Sequence, residues 1–152
     1  MATFQDKSSD RMDVSSARPV ATSMTPLILV VENHDDTRFM LEYLLEMRGC
    51  RVAVAEDGEV AVQLAENERP DLILMDVTLP RLDGLAATRR IRETSALRDV
   101  PIILLSGRAE VSFRTVALST GGNDFVVKPF ALDQLERVIE RHLGKSLSVK
   151  TQ

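Results

Sequence analysis

The sequence of 152 residues contains a single cysteine, Cys50, and no long apolar run. One cysteine excludes a disulfide within the chain and a cysteine metal cluster, and this usage is typical of a reducing compartment. The longest apolar runs have about five residues, whereas a helix that crosses a bilayer needs roughly 20. The first residues also lack the apolar core of a signal peptide. These absences predict a cytoplasmic protein without a membrane segment, in which Cys50 is a small packed side chain.

The sequence also has no excess of positive charge, because 19 Lys and Arg residues stand against 23 Asp and Glu residues and the formal net charge is −4 at pH 7. A protein that binds nucleic acid through its phosphates needs a basic stripe, and no such stripe is visible in the sequence. We therefore expect no direct contact with nucleic acid. A hydrophobic content of 44% over 152 residues is typical of one globular domain with one core.

The chain divides into three segments by composition. Residues 1–25 are rich in Ser, Thr, Asp and Arg without an apolar period, which predicts a flexible N-terminal tail. Residues 26–144 alternate regularly between apolar runs and amphipathic stretches, as a folded domain does. Residues 145–152 form a short C-terminal tail.

Five apolar runs predict buried strands, and the stretches between them predict helices. The predicted strands are 27–32, 51–55, 72–76, 100–105 and 125–127. The predicted helices are 36–48, 60–65, 85–92, 111–118 and 132–143. Strict alternation predicts a doubly wound α/β domain, because each crossover between parallel strands needs a helix and runs right-handed. Gly49 is expected to cap the end of the first helix.

Ligands of such folds bind outside the carboxyl ends of the strands. The carboxylate and carbonyl oxygens expected there suit Mg²⁺, and a lysine with a hydroxyl suits a phosphoryl group. This chemistry predicts a site at which the Asp76 carboxylate attacks a phosphoryl donor, a metal neutralises the incoming oxygens, and Lys128 with Ser106 holds the rest. The residues that follow the strand ends are Glu32, Asn33, Asp76, Thr78, Ser106 and Lys128.

Four motifs in register resemble the receiver domain of two-component response regulators over residues 27–143. The segment LVVEN (29–33) is similar to the acidic end of the family's first strand, and LMDVTLP (74–80), with Gly84, is similar to its phosphoacceptor loop. Ser106 falls where the family keeps its switch hydroxyl. The segment FVVKPF (125–130) resembles the family's fifth-strand signature, which has an aromatic switch position, a lysine and a Lys–Pro bond that is usually cis.

The resemblance implies a flavodoxin-like (βα)5 fold with strand order 2-1-3-4-5. It also implies transfer of a phosphoryl group to Asp76 from the phosphohistidine of a sensor histidine kinase or of a phosphotransfer protein. Such a domain is not an enzyme, because it promotes only its own phosphorylation and dephosphorylation. The implied roles are catalysis by Asp76, Ser106 and Lys128, and Mg²⁺ binding by Glu32, Asn33, Asp76 and Thr78.

The family's switch mechanism implies that Ser106 moves toward the phosphoryl group and that Phe125 rotates inward. The surface of the fourth helix, fifth strand and fifth helix then changes, and the family uses this surface for dimerisation or for docking a downstream protein. Slow hydrolysis resets the switch, and Thr78 and Arg108 lie where the family lines the entrance to the phosphate. Because few residues follow residue 144, we expect a stand-alone receiver that signals through protein contacts.

Asn33 departs from the family pattern, in which two adjacent acids follow the first strand and the second binds the metal directly. Its amide offers a carbonyl oxygen but no negative charge, so we expect weakened Mg²⁺ affinity. Asp35 or Asp36 is expected to cap the first helix rather than to supply the missing charge. We interpret His34, a lone histidine on a loop, as a bystander.

Three other classes of protein compete with this interpretation. Phosphatases with an aspartate nucleophile have a motif in which a second Asp lies two residues after the nucleophile. In this chain the residue two positions after Asp76 is Thr78. A nucleotide-binding domain needs a glycine-rich turn after the first strand, and residues 32–36 contain no glycine. A pseudo-receiver, which is a receiver-like interaction module that signals without phosphate, stays open, and Asn33 is the sequence feature in its favour.

Overall fold

The computed structural model describes residues 25–147, in which five strands alternate with five α-helices. The predicted tails therefore lie outside the described residues, apart from their inner ends. The strands are β1 (Leu27–Val31), β2 (Arg51–Ala55), β3 (Leu72–Asp76), β4 (Ile102–Ser106) and β5 (Asp124–Val127). The helices are α1 (Asp35–Met47), α2 (Gly58–Glu68), α3 (Gly84–Glu93), α4 (Val111–Ser119) and α5 (Leu132–Leu143).

The strands form one parallel sheet in the order β2-β1-β3-β4-β5. This confirms the predicted doubly wound fold and its strand order. In the register of the sheet, Val31 is opposite Met75, and Ser106 is opposite Val127. The residues that follow β1, β3, β4 and β5 therefore meet at one edge of the sheet, where ligands of such folds bind.

The core has two layers, one on each face of the sheet, because successive side chains of a strand point to opposite faces. Helices α1 and α5 cover one face, with Cys50 buried beside them as expected, and α2, α3 and α4 cover the other. Among residues 25–147, no helix is long and apolar enough to span a bilayer. The helix residues buried at these two faces include Leu41, Leu45, Leu135 and Ile139 on the first, and Ala61, Ala65, Ile91 and Ala117 on the second.

The fourth strand starts later than predicted. It was expected over 100–105, but β4 is Ile102–Ser106. A short 3-10 turn at Ser95–Leu97 precedes it, and the amide of Val100 still bonds to the carbonyl of Leu97. Pro101 has no amide hydrogen to donate to a ladder. The strand ends at Ser106, and pairing with Val127 of β5 holds the backbone of this residue in the sheet.

The cap of α1 also differs from the prediction. Neither Asp35 nor Asp36 is the N-cap, because the helix begins one residue earlier than expected and His34 occupies that position. Both acids instead lie in the first turn, where a negative charge faces the positive end of the helix dipole. At the other end, Gly49 follows α1 with a φ of 88°, which confirms its predicted role as a terminator.

Two glycines hold the loop that joins β3 to α3. The amide of Gly84 donates to the carbonyl of Val77 at 2.8 Å. A Cβ at Gly84 would overlap the carbonyl oxygen of Asp76, and a Cβ at Gly58 would overlap that of Leu82. The loop after Asp76 is thus packed against the first residues of α2 and α3 with no room for a methyl group.

We predict that Gly84→Ala lowers the free energy of unfolding by about 1–3 kcal/mol, because the methyl group must displace backbone at Asp76. The loss is expected even though Ala has the higher helix propensity. Urea denaturation measures the change. Gly107→Ala is the matched control, since an added Cβ there meets no atom within 4 Å. Equal stability of the Gly84 and Gly107 variants would contradict the prediction.

Candidate functional site

Asp76 is the last residue of β3, and its side chain is buried at the carboxyl edge of the sheet. One carboxylate oxygen, Oδ1, accepts a hydrogen bond from the amide of Thr78 at 3.2 Å. The other, Oδ2, lies 3.3 Å from Nζ of Lys128. The carboxylate is therefore anchored by its own loop and by a cation from β5.

Glu32 follows β1 and is completely buried, with 0% of its surface exposed. Its Oε1 accepts a hydrogen bond from Nζ of Lys128 at 2.9 Å. Its Oε2 accepts one from the amide of His34 at 3.1 Å and lies 3.0 Å from Nδ1 of the same residue. Lys128 thus bridges two carboxylates, while His34 covers the outer oxygen of one of them.

Lys128 follows β5, and its amide donates to the carbonyl of Ser106 at 2.7 Å. This bond extends the pairing of β4 and β5 by one residue and directs the lysine toward β3 and β1. The Lys128–Pro129 peptide is cis, as the resemblance implied.

The pKa values of the two acids are shifted in opposite directions. Burial and the negative charge of Glu32 raise the pKa of Asp76 to about 6, although Lys128 and the amide of Thr78 act in the opposite direction. Burial alone would raise the pKa of Glu32, but hydrogen bonds from Lys128 and His34 lower it. The pKa of Lys128 is raised, because its contacts with both acids outweigh its burial. Two carboxylates therefore compete for one ammonium, and an added cation would relieve the excess negative charge.

Ser106 is buried next to this cluster at the end of β4. Its Oγ accepts a hydrogen bond from the amide of Arg108 at 3.0 Å, so the hydroxyl proton is free to point elsewhere. The guanidinium of Arg108 lies over the ring of Phe113, 4.1 Å from its centroid. Together with Thr78, these residues line a groove of about 360 Å³ between the loops after β3 and β4.

Phe125 is buried and packs edge-on against Phe113, with ring centroids 6.1 Å apart and an interplanar angle of 72°. The guanidinium of Arg114 lies 5.8 Å from the centroid of Phe125. Phe125 is therefore part of the core beneath α4, where it packs against Phe113.

Of the predicted metal ligands, Glu32 and Asp76 come together, whereas Asn33 is exposed. The side chain of Asn33 makes no hydrogen bond to another described residue. Asp35 pairs with Arg38 at 2.7 Å and does not join the acidic cluster. The missing second acid is therefore not replaced by a neighbouring acid within residues 25–147.

Two residues near the site were missed by sequence reasoning. His34 was interpreted as a bystander, but its ring contacts Glu32. Arg38 is buried in α1 and donates from Nη1 to the carbonyl of Glu32 at 3.0 Å, while Nη2 pairs with Asp35. The signal for His34 was its place two residues after a buried acid, where a loop turns back over the strand end. Arg38 offered no local signal beyond a charge at a helical core position.

Residues 28–140 match the family model of the response regulator receiver domain. The chain belongs to this family. Response regulator MprA of Mycobacterium sp. (strain KMS) is 43% identical over 108 residues, which cover 71% of this chain and 46% of that protein. This receiver domain therefore spans about half the length of the curated relatives it matches.

Solved structures of other receiver domains share its fold. The receiver domain of the sensor histidine kinase PA1611 from Pseudomonas aeruginosa PAO1, which has a magnesium ion in its active site cleft, is 41% identical. The similarity has a TM-score of 0.74 and covers 80% of this chain and 99% of that one. The Vibrio cholerae chemotaxis protein CheY4 is 26% identical, with a TM-score of 0.74 and coverage of 77% and 98%.

We predict that Asp76→Asn stabilises this receiver domain above pH 7, by about 1–3 kcal/mol. A carboxyl whose pKa is raised from 3.8 to about 6 binds its proton more tightly when folded, so native stability falls as pH rises between these values. The gain of the variant over the native chain should therefore disappear below about pH 4. Chemical denaturation with a chelator present at several pH values measures this difference.

The control for this prediction is Asp133→Asn, at a carboxyl on α5 that is 72% exposed. It should change stability little at any of these pH values. A gain from Asp76→Asn that does not depend on pH would contradict the assigned cause.

Proposed function

We propose that this receiver domain is a phosphorylation-dependent switch that accepts a phosphoryl group on Asp76 from a kinase phosphohistidine. The observation that carries the proposal is the buried Asp76 carboxylate, 3.3 Å from an ammonium that Glu32 holds in place. A carboxylate next to a fixed cation is suited to nucleophilic attack on a phosphoryl group, because charge develops where the cation already lies.

In the proposed reaction, an oxygen of Asp76 attacks the phosphorus of the phosphohistidine. The O–P bond forms as the P–N bond breaks, and the departing imidazole nitrogen keeps the electron pair. The product is an acyl phosphate on Asp76. Lys128 is positioned to pair with a phosphoryl oxygen, and the hydroxyl of Ser106 is able to donate to another, since its Oγ already accepts from Arg108.

A divalent cation fits the residues that surround Asp76. Glu32 and Asp76 offer carboxylate oxygens that one ammonium leaves incompletely neutralised. Asn33 and Thr78, which follow these acids within two residues, carry neutral oxygen donors. When bound, the cation would supply neutralisation of the incoming phosphoryl oxygens. Because Asn33 adds no charge, Mg²⁺ should bind this site less tightly than it binds a site with two adjacent acids.

The surface beside Lys128 supports docking of a kinase or phosphotransfer protein. Thr37 and Met40 of α1 line a groove of about 420 Å³ together with Lys128, Pro129 and Phe130. On the same helix, Phe39 and Tyr43 are 58% and 65% exposed. Exposed apolar side chains grouped on one helix are typical of a protein contact surface.

We infer that output passes through the α4-β5-α5 surface, by dimerisation or by docking of a downstream protein. A route is available, because the amide of Arg108 bonds to Ser106 and its guanidinium covers Phe113, which packs on Phe125. Movement of the Ser106 hydroxyl toward a phosphoryl group would break the first of these contacts. Action of this receiver domain in the cytoplasm, without direct contact between the domain and nucleic acid, belongs to the same proposal.

A pseudo-receiver is the second candidate, and the surroundings of Glu32 favour it. Lys128 and His34 both bond to this carboxylate, so its charge is partly balanced without a cation. A domain of this kind would keep the fold and the contact surfaces but would not be phosphorylated.

We predict that a small-molecule phosphodonor with Mg²⁺ adds the mass of one HPO₃ to the native chain and not to Asp76→Ala. Intact-mass spectrometry measures the gain. Asp133→Ala, a change at an exposed carboxyl, should be phosphorylated like the native chain. No gain at high Mg²⁺ would favour the pseudo-receiver.

We also predict that Asn33→Asp increases Mg²⁺ affinity about tenfold, because it restores a negative charge next to Glu32. Isothermal titration with MgCl₂ measures the dissociation constants. Equal constants for the native chain and the variant would show that position 33 does not contribute to the cation site.

A further inference from the structure

We propose that the cluster of Glu32, His34 and Asp76 binds a late first-row transition-metal cation, such as Zn²⁺, through the imidazole of His34 and in preference to Mg²⁺. The inference rests on the proposed function only in taking the two acids as cation ligands. It assigns a third ligand and a cation class that differ from those implied by the family resemblance.

The geometry of the cluster supports a shared cation. One ligand atom from each of Glu32, His34 and Asp76 lies within 4.8 Å of the other two. Ligand atoms of one tetrahedral zinc ion are separated by about 3.4 Å, since each bond is roughly 2.1 Å long. The three atoms therefore need to approach one another by no more than about 1.4 Å to share one ion. No other group of three or more His, Cys, Asp or Glu residues within the described part of the chain is this close.

Two of the three ligands, Glu32 and Asp76, are held in fixed positions, and the third, His34, is free to adjust. Glu32 and Asp76 are buried and held by Lys128 and by backbone amides, so their positions are set by the sheet. The side chain of His34 is 74% exposed, and its contact with Oε2 of Glu32 is the only hydrogen bond or ion pair that its ring makes to a described residue. The imidazole is thus able to rotate and to bind the same cation as Oε2 of Glu32.

The charge of the cluster calls for a cation. Ionised Glu32 and Asp76 carry two negative charges, and Lys128 brings one positive charge. A neutral imidazole adds a nitrogen donor but no charge, so the excess negative charge remains to attract an ion at the mouth of the site.

The donor set decides which cation is preferred. Mg²⁺ prefers oxygen ligands and is bound through carboxylates and water. Here the position after Glu32 is an exposed Asn33 amide, and the next residue supplies an imidazole. Imidazole suits Zn²⁺, Ni²⁺, Cu²⁺ and Co²⁺, whose affinities for nitrogen sites exceed those of the hard cations. The lack of an acid at position 33, together with a nitrogen donor at His34, therefore shifts the preference away from Mg²⁺.

The test is titration of the tag-free full chain with ZnCl₂ and with MgCl₂ in a buffer that binds neither ion. The native chain should bind Zn²⁺ at least about tenfold more tightly than Mg²⁺. His34→Gln should lower Zn²⁺ affinity by about tenfold or more and should leave Mg²⁺ affinity nearly unchanged. Visible absorption of the Co²⁺ complex gives a second readout, because the loss of a nitrogen ligand changes the spectrum.

The matched control is His142→Gln, since the chain contains two histidines. His142 pairs with Asp124 at 3.0 Å, at the amino end of β5 and thus at the opposite edge of the sheet. This variant should bind Zn²⁺ and Co²⁺ like the native chain. Equal Zn²⁺ affinity of native and His34→Gln, or tighter binding of Mg²⁺ than of Zn²⁺ by the native chain, would overturn the inference.

These outcomes are separate from those for phosphorylation. If Asp76 gains a phosphoryl group with Mg²⁺ but Zn²⁺ binding does not depend on His34, the inference is wrong and the proposed function stands. If Zn²⁺ binding depends on His34 but Asp76 gains no phosphoryl group with either cation, the inference stands and the proposed function is wrong.

Discussion

The contact of the Lys128 ammonium with the carboxylates of Glu32 and Asp76 is the interaction on which the rest of the site depends. It joins the ends of β5, β1 and β3, which are distant in the chain and brought together only by the strand order of the sheet. Removing two acids and an ammonium from water is costly, and such a group persists only where each member is paired. The glycine-packed loop after Asp76 and the extra β4-β5 bond at Lys128 keep the three groups in reach of one another.

The same contact explains why the surroundings of Glu32 matter for function. One ammonium cannot neutralise two buried carboxylates, so the site keeps one uncompensated negative charge when both acids are ionised. Where the family has a second acid, this chain has Asn33, and the side chain that approaches Glu32 is instead His34. The proposed preference for a transition-metal cation therefore rests on two loop residues, Asn33 and His34, while the sheet that holds the acids is shared with other receiver domains.

Sequence patterns predicted the fold almost completely, because buried strands and amphipathic helices have different apolar periods. The main error in the strands was the start of β4, where an apolar run includes Val100 and Pro101, but the amide of Val100 still bonds to Leu97 and Pro101 has no amide hydrogen. Apolar character marks burial and does not mark pairing. The helix cap at His34 was also missed. Acidic residues are preferred as caps, but this preference does not fix the residue at which the helix begins.

The sequence by itself determined the alternation of strands and helices and the presence of Asp76, Ser106 and Lys128 at strand ends, because these properties depend on residues close together in the chain. Only the tertiary structure decided that Lys128 pairs with both acids, that Asn33 points to solvent, and that the ring of His34 lies against Glu32. Those contacts depend on the register between strands and on side-chain rotamers. Neither is specified by a local pattern, because each is set by packing among segments that are far apart in sequence.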